Sequence, residues 1–381
     1  MNKNELQAVL SNVRRTIHAY PEVGFDLERT RAYLTALLQE AGCQPRAVAG
    51  GLVADLGSGP GRVLLRAELD ALPLMDGKKV NYASQKAGAC HACGHDGHMA
   101  MLYGALLLLK ENPPETGGVR LLLQPAEESP PGGALGMLEA GVLDDVRAAF
   151  ALHLNPGLPY GKVGVKPGVM MAAADNFRLT VLGSSGHGAM PQGTVDAVLV
   201  AAHTVSALQA LVSRYKDPLE PLVITVGKIH GGTASNVVAD KVVLEGTVRT
   251  LDRQLRQEMP GKLEALSAGV CTAFGARLDI EYLWGYPLLI NNRELTNQAA
   301  VLAKETLGAD TVLELERPLM GGEDFAYFLE KVPGTFLFLG TGSEQFRYPL
   351  HHCCFDFNED ILVRGASLLA ALAKAGSALN L

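Results

Sequence analysis

No run in this 381-residue chain approaches the roughly 20 consecutive apolar residues that span a bilayer, and no low-complexity tract interrupts it. A membrane-spanning or extended disordered protein is therefore not expected. Positive charge is also scarce. Thirty-three Lys and Arg face 40 Asp and Glu, giving a formal net charge of -7 and a pI near 5.8. That balance lacks the electrostatic footprint of a nucleic-acid or anionic-membrane binder, so the expected partner is a small molecule. The N-terminal Met-Asn-Lys-Asn-Glu-Leu has no apolar signal-peptide core, and cysteines at 43, 90, 93, 271, 353 and 354 show no small-scaffold disulfide framework. The expected compartment is the cytoplasm. The length exceeds the usual limit for one core, so two domains are expected.

What is present is concentrated. Cys90-His91-Ala92-Cys93-Gly94-His95-Asp96-Gly97-His98 packs five thiol or imidazole donors into nine residues, between a buried-strand pattern and an apolar helix. A structural zinc cage, a catalytic metal centre and a redox C-x-x-C all fit this stretch. No second C-x-x-C lies close by, and redox pairs are not usually crowded by three histidines, so metal is favoured. The rest of the chain must decide which kind.

Leu6, Leu10, Val13 and Ile17 recur at helical spacing before Pro21, and a second helix runs through Tyr33, Leu34, Leu37, Leu38 and Ala41 to Gly42. Strand patterns follow at Gly51 to Leu56 and Arg62 to Leu69. The second is almost continuously apolar, as for a strand covered on both faces, and it delivers Glu68 and Asp70 at its carboxyl end. Met99 to Leu109 reads as a core helix, Val119 to Leu123 as a strand running into Glu127-Glu128, and Ala148 to Leu152 as a strand delivering His153. Three predicted strands thus end in a candidate acid or ligand, which suits an active site better than a cage. From about Asp175 the order becomes β-α-β-β-α-β, the split βαβ arrangement that closes as its own two-layer domain. Helix and strand patterns resume after Tyr286-Pro287 and end in a long helix from about Glu359. The expected fold is α/β: a mixed-sheet catalytic domain (1–173 and 286–381) with helices on both faces, interrupted by a ferredoxin-like α+β lid or dimerisation domain (174–285).

Neighbouring side chains on extended backbone point to opposite sides. On that basis one carboxylate of Glu127-Glu128 binds metal while the other manages the proton of an attacking water. The plain alternative is a solvated acidic pair before Ser129-Pro130-Pro131.

Cys93-Gly94-His95-Asp96-Gly97-His98, Gln124-Pro125-Ala126-Glu127-Glu128, His153, Gly186-His187, Gly231 to Asn236, Gly246 to Thr250, Gly321 to Phe325 and Leu350-His351 occur in this order along nearly the whole chain. The sequence thereby resembles the M20 metallopeptidase family and its amidohydrolase branch of hippurate, indole-acetyl-amino-acid and N-acyl-amino-acid hydrolases. The resemblance implies two divalent ions held by Cys93, His95, Glu128, His153 and His351, with Glu127 as general base and acid. Thiolate and imidazole suit zinc, and the mixed set also accepts manganese or cobalt. It further implies that Asp70 orients a ligand imidazole and that His187 reaches across a homodimer to the oxyanion. Asn236 and Arg249 would hold the substrate carboxylate.

Four positions depart from the branch: Glu68 where Asp is common, Cys90 for Met, Gln192 where a His often follows the Pro, and Cys353-Cys354 where Pro is usual. His352 competes with His351 as ligand, and His351 is preferred because it directly follows Leu350. His18 is expected on the surface or at a helix cap, His203 and His230 have no assigned role, His91 and His98 support the metal shell, and Asp324 opens a helix. The expected function is metal-dependent cleavage of an N-acyl-L-amino acid to a carboxylate and a free amino acid. The alternatives are a dipeptidase or aminoacylase of the same fold, and a catalytically silent metal-binding protein, against which the Glu pair, His187 and Arg249 speak.

Overall fold

Asn2 opens helix α1 (Lys3–His18) with a closed capping box: its side chain accepts from the Glu5 N–H, and Glu5 accepts from the Asn2 N–H. The computed structural model describes residues 1–57, 59 and 61–378. In it Leu6, Leu10, Val13 and Ile17 form the buried stripe that their spacing predicts. Helix α2 (Glu28–Glu40) stops where Gly42 takes φ +77°, a left-handed conformation that a Cβ disfavours. The chain continues through β1 (Arg46–Val48), β2 (Gly51–Leu56), β3 (Arg62–Glu68), α3 (His95–Glu111), β4 (Val119–Gln124), α4 (Ala134–Glu139), β5 (Val146–Pro159), β6 (Val163–Val165) and β7 (Gly168–Met171). Next come β8 (Ala173–Leu182), β9 (Gly186–His187), α5 (Ala197–Ala210), β10 (Leu222–Gly231), β11 (Val237–Val238), β12 (Lys241–Thr250), α6 (Arg253–Ala273) and β13 (Arg277–Tyr286). The last stretch holds β14 (Leu289–Asn291), α7 (Arg293–Leu307), β15 (Val312–Glu314), α8 (Ala326–Leu329), β16 (Gly334–Gly342) and α9 (Ile361–Ala378).

These elements form two compact units. The first comprises Met1–Met170, Leu289–Arg317 and Asp324–Leu381, and the second Met171–Leu288 with Pro318–Glu323. In the first, an eight-stranded mixed sheet runs β1-β2-β4-β3-β5-β16-β6-β15. β3 is parallel to both β4 and β5, and β5 is parallel to β16. The register Glu68↔Gln124 and Arg66↔Ala151 therefore sets the end of β3 beside the end of β4 and level with His153. Helix α3 is buried along most of its length and packs between α1 and α9. Gly104 permits that approach, since a Cβ there would meet Ala366 Cβ and Leu10 Cδ1 at 2.8 Å.

The second unit has a four-stranded antiparallel sheet in the order β10-β12-β8-β13. Phe177, Leu179, Val181, Val242, Leu244 and Val248 alternate inward from β8 and β12 onto α5 and α6. Ala197–Tyr215, which is α5 plus a π-helical turn, is long and apolar enough to cross a membrane by length and composition alone, contrary to the expectation that no stretch is. Its apolar content includes a packing face: Ala197, Val200, Ala201, Leu208 and Leu211 are buried within the unit.

Candidate active site

The site grows from the ends of β3 and β4. Asp70, two residues past β3, is fully buried, and its two carboxylate oxygens each accept a backbone N–H, one from Glu127 and one from Glu128, both at 3.0 Å. Ala126, at φ +55°, starts a tight turn in which the Ser129 N–H donates to the Ala126 carbonyl. This corrects the expectation of extended backbone at the Glu pair. The two carboxylates converge instead of pointing apart, with Glu127 Oε2 3.8 Å and Glu128 Oε1 3.9 Å from His95 Nε2. Asp70 selects the turn because a single carboxylate satisfies two N–H groups only when they point the same way.

The imidazoles are held in defined tautomers. His95 is the first residue of α3, after Gly94 at φ +88°, and its Nδ1 donates to the Asp70 carbonyl at 2.7 Å, leaving the Nε2 lone pair facing the carboxylates. His153 Nδ1 donates to the Leu154 carbonyl at 2.8 Å, and its Nε2 lies 3.5 Å from Cys93 Sγ. His351 arrives from the far end of the chain in a left-handed conformation, φ +65°, tied by its N–H to the Ala92 carbonyl at 2.8 Å. Its Nε2 stands 3.2 Å from Glu128 Oε1. The donor atoms of Cys93, Glu128 and His351 lie within 4.8 Å of one another, as do those of His95, Glu127 and Glu128.

His95 Nε2 and Glu128 Oε1 are buried and make no hydrogen bond, the latter having only the His351 imidazole 3.2 Å away. Such groups cost about 1–3 kcal/mol each unless something pairs them, and cations placed among these N, O and S donors would do so. The donor set therefore fits the divalent ions that the resemblance implies. Glu68, His95, His98 and His153 also cluster within 4.8 Å, but both His98 nitrogens are engaged. Nδ1 bonds Glu68 Oε2 at 2.7 Å and Nε2 accepts the Leu154 N–H at 3.0 Å, so His98 has no free lone pair. His352 has its Nδ1 accepting the Cys354 N–H at 3.0 Å and its ring stacked on Tyr348.

Burial and charge oppose each other at Asp70 and Glu128 and act together at Cys93 and His153. Burial pushes the Asp70 carboxyl up to about 6 against the pull of His95 and the two backbone N–H groups. Burial, reinforced by Glu128 and Glu127, pushes the Cys93 thiol well above its usual range, and burial with His98 drops His153 to about 3. Burial would raise Glu128, yet His351 and His95 hold it below the ordinary carboxylate range. A neutral His153 and an ionised Glu128 are the forms that bind cations.

Two buried networks behind the site were not assigned from sequence. Arg66 pairs with Glu68 and with Asp324 Oδ1 (2.7 Å) while donating to Gln124 Oε1 (2.9 Å), and Gln124 Nε2 donates to Asp324 Oδ2 (2.6 Å). Asp324 thus binds an arginine rather than opening a helix; α8 begins at Ala326 with Phe325 as its cap. Arg66 and Glu68 sit two apart at the end of a strand whose preceding residues Val63 to Leu65 are apolar, a same-face spacing that could have revealed the pair. In the second network Arg14 and His18 converge on Asp96 at 3.1 and 2.7 Å, with Asp76 3.3 Å from His18 Nε2. His18 is 0% exposed, which overturns its expected surface or capping place. Two acidic partners, Asp76 and Asp96, offset the cost of burying it.

The other motif residues lie in the second unit. His187 is exposed on β9, where its Nδ1 accepts the Ala189 N–H at 3.0 Å and so leaves the proton on Nε2. Asn236 is exposed beside it, its carbonyl accepting the Gly188 N–H at 2.8 Å. Arg249, half-buried on β12, donates to neutral acceptors: Thr247 Oγ1, the Val248 carbonyl at 3.2 Å and the Asp175 carbonyl at 3.4 Å. Gln192 is exposed in the turn at Pro191–Gly193, while Cys90 is fully buried in the first unit with Lys78 Nζ 3.5 Å from its sulfur.

Residues 64–375 match peptidase family M20/M25/M40. An N-acetyl-L-cysteine deacetylase of Bacillus subtilis is 38% identical over 380 residues, covering 98% of this chain and 89% of that protein. An IAA-amino acid hydrolase of Arabidopsis thaliana is 38% identical over 369 residues, covering 95% and 83%. The crystal structure of a Bacillus subtilis dinuclear metal-binding peptidase from the M20 family is similar with a TM-score of 0.83 and 32% identity, covering 98% of each chain.

Proposed function

Because the chain belongs to peptidase family M20/M25/M40, whose matched relatives are hydrolases of amide or peptide bonds, we propose that it cleaves N-acyl-L-amino acids to a carboxylate and a free amino acid. The observation that carries this reading is the buried His95 Nε2, which makes no hydrogen bond and faces the carboxylates of Glu127 and Glu128, with His351 3.2 Å from Glu128 Oε1. Cys93, His95, Glu128, His153 and His351 would hold two divalent ions, zinc or manganese, with cobalt also accepted by this donor set. When bound, the ions supply Lewis acidity and lower the pKa of water toward neutrality.

Glu127 is the base that takes a proton from the attacking water and the acid that returns it to the leaving amine. Asp70 fixes the positions of Glu127 and Glu128 through their N–H groups and of His95 through its own carbonyl. His187, with its proton on Nε2, is a donor for the oxyanion, acting on the neighbouring subunit of a homodimer. Asn236 and Arg249 hold the substrate carboxylate, Arg249 being free of any carboxylate ion pair among the described residues. The strand order of the second unit supports its reading as a ferredoxin-like lid or dimerisation domain spanning 174–285, with 1–173 and 286–381 forming the catalytic domain. Six unpaired cysteines support the cytoplasm as its compartment.

The test is Glu127→Gln. Turnover of N-acetyl, N-benzoyl and indole-acetyl amino acids should fall by roughly 10²–10⁴-fold while metal content stays at the wild-type level. A variant with near-normal rate would refute the assignment. Chelation should remove activity and metal add-back restore it, whereas a silent metal-binding protein would show no turnover in either state. Mixing Glu127→Gln with His187→Ala subunits should regenerate activity if His187 serves its neighbour, and none if it serves its own chain.

A further inference from the structure

Immediately after His351 the chain reads His352-Cys353-Cys354. Both cysteines are unpaired and half-buried, with sulfurs 3.8 Å apart. The opposing backbone is shaped for them: a Cβ at Gly77 would stand 3.1 Å from each sulfur, and the Gly77 N–H donates to the Cys353 carbonyl at 3.0 Å. The donors of His352, Cys353 and Cys354 lie within 4.8 Å of one another. The His352 Nδ1 lone pair is nonetheless committed to the Cys354 N–H at 3.0 Å. That leaves two adjacent thiols as the reactive pair. A disulfide needs its sulfurs about 2.05 Å apart, so closure requires a further approach of about 1.8 Å from the observed 3.8 Å.

We propose that Cys353 and Cys354 are a redox modification site, closing to a reversible vicinal disulfide by exchange with a low-molecular-weight disulfide and loosening His351 in the donor cluster. One thiolate attacks a sulfur of the small disulfide, forming a mixed disulfide and releasing one thiol; the second cysteine then attacks the mixed disulfide and releases the other. The net change oxidises the two protein thiols and reduces one small disulfide to two thiols. Closure draws Cys354 toward Cys353 and strains the Cys354 N–H to His352 Nδ1 bond. His351, held in its left-handed conformation by a single backbone bond to Ala92, is the next residue along. The coupling to His351 rests on its reading as a metal ligand; formation of the disulfide does not.

Metal-loaded enzyme is equilibrated with oxidised glutathione, alkylated, and its peptides mapped by mass spectrometry alongside metal content and turnover. The expected result is a peptide containing Cys353 and Cys354 that is two hydrogens lighter and resists alkylation. Metal affinity should fall on the order of tenfold, as for the loss of a supporting contact, and dithiothreitol should restore both affinity and rate. Cys353→Ala and Cys354→Ala, each at normal basal rate, should lose this response. If both thiols remain alkylatable, or each carries only a glutathionyl adduct, the modification site is overturned whatever the metal centre does. If the disulfide forms while metal affinity and rate stay unchanged, the coupling to His351 is overturned.

Discussion

The two groups of motif residues are built in opposite ways. In the first unit Asp70, Cys93, His95, Glu127 and His153 are all buried, and His95 and His153 are fixed in one tautomer by backbone carbonyls. In the second unit His187 and Asn236 are exposed, and Arg249 is half-buried against neutral oxygens. Under the proposed function, the difference separates chemistry from recognition. A cation cluster needs donors fixed before it binds, at a cost in unpaired buried atoms, whereas groups that meet a substrate can wait in water for their partner.

That contrast yields four tests, taken from the largest expected effect downward. Glu68→Gln weakens the charge balance of Arg66 and the hold on His98, so it should cost about 3–5 kcal/mol as other broken buried pairs do. Urea unfolding measures this, and a change below about 1 kcal/mol would remove the rigid-support side of the contrast. His187→Ala should lower kcat by about 10²–10³-fold with unfolding and metal content unchanged. A lowered metal content would place His187 with the buried donors instead. Arg249→Ala should raise KM by roughly 10–100-fold, from the loss of one charge-assisted bond worth about 1.5–3 kcal/mol, and steady-state kinetics would show whether kcat moves as well.

The last test is on pH, where the effect is small within any one pH unit and accumulates across the window. Burial lowers the His18 pKa, but Asp96 and Asp76 outweigh it and push the imidazolium up to about 10 in the fold, from an ordinary value near 6.5. The stability from His18 is therefore fully present below about 6.5 and is lost as pH rises through about 10, by at most about 1.4 kcal/mol per unit. His18→Gln should be less stable at neutral pH and flatten that slope. Equal slopes in urea titrations of the two proteins would show that His18 is not protonated in the fold.

Much of the first unit was legible because its signals are periodic or compositional. The apolar run in β3, the stripe in α1 and the glycine after α2 all act locally. The Glu127-Glu128 turn was misread because its geometry is imposed by Asp70, a residue 57 positions away whose carboxylate takes both N–H groups. His18 and Asp324 were misread for the same reason: their partners Asp96 and Arg66 lie 78 and 258 residues distant in the chain. Long-range pairing of buried charge leaves no local pattern. Residue type did limit the candidates, since an isolated charge in an apolar strand must be paired.

Asp70 has a mechanical consequence. One carboxylate anchors the backbone of both Glu127 and Glu128, and the same residue's carbonyl orients His95. Breathing of the sheet that displaces Asp70 therefore carries Glu127, Glu128 and His95 along one common vector. Their mutual spacing is insulated from thermal drift, as three instruments bolted to one bench keep their alignment when the floor moves.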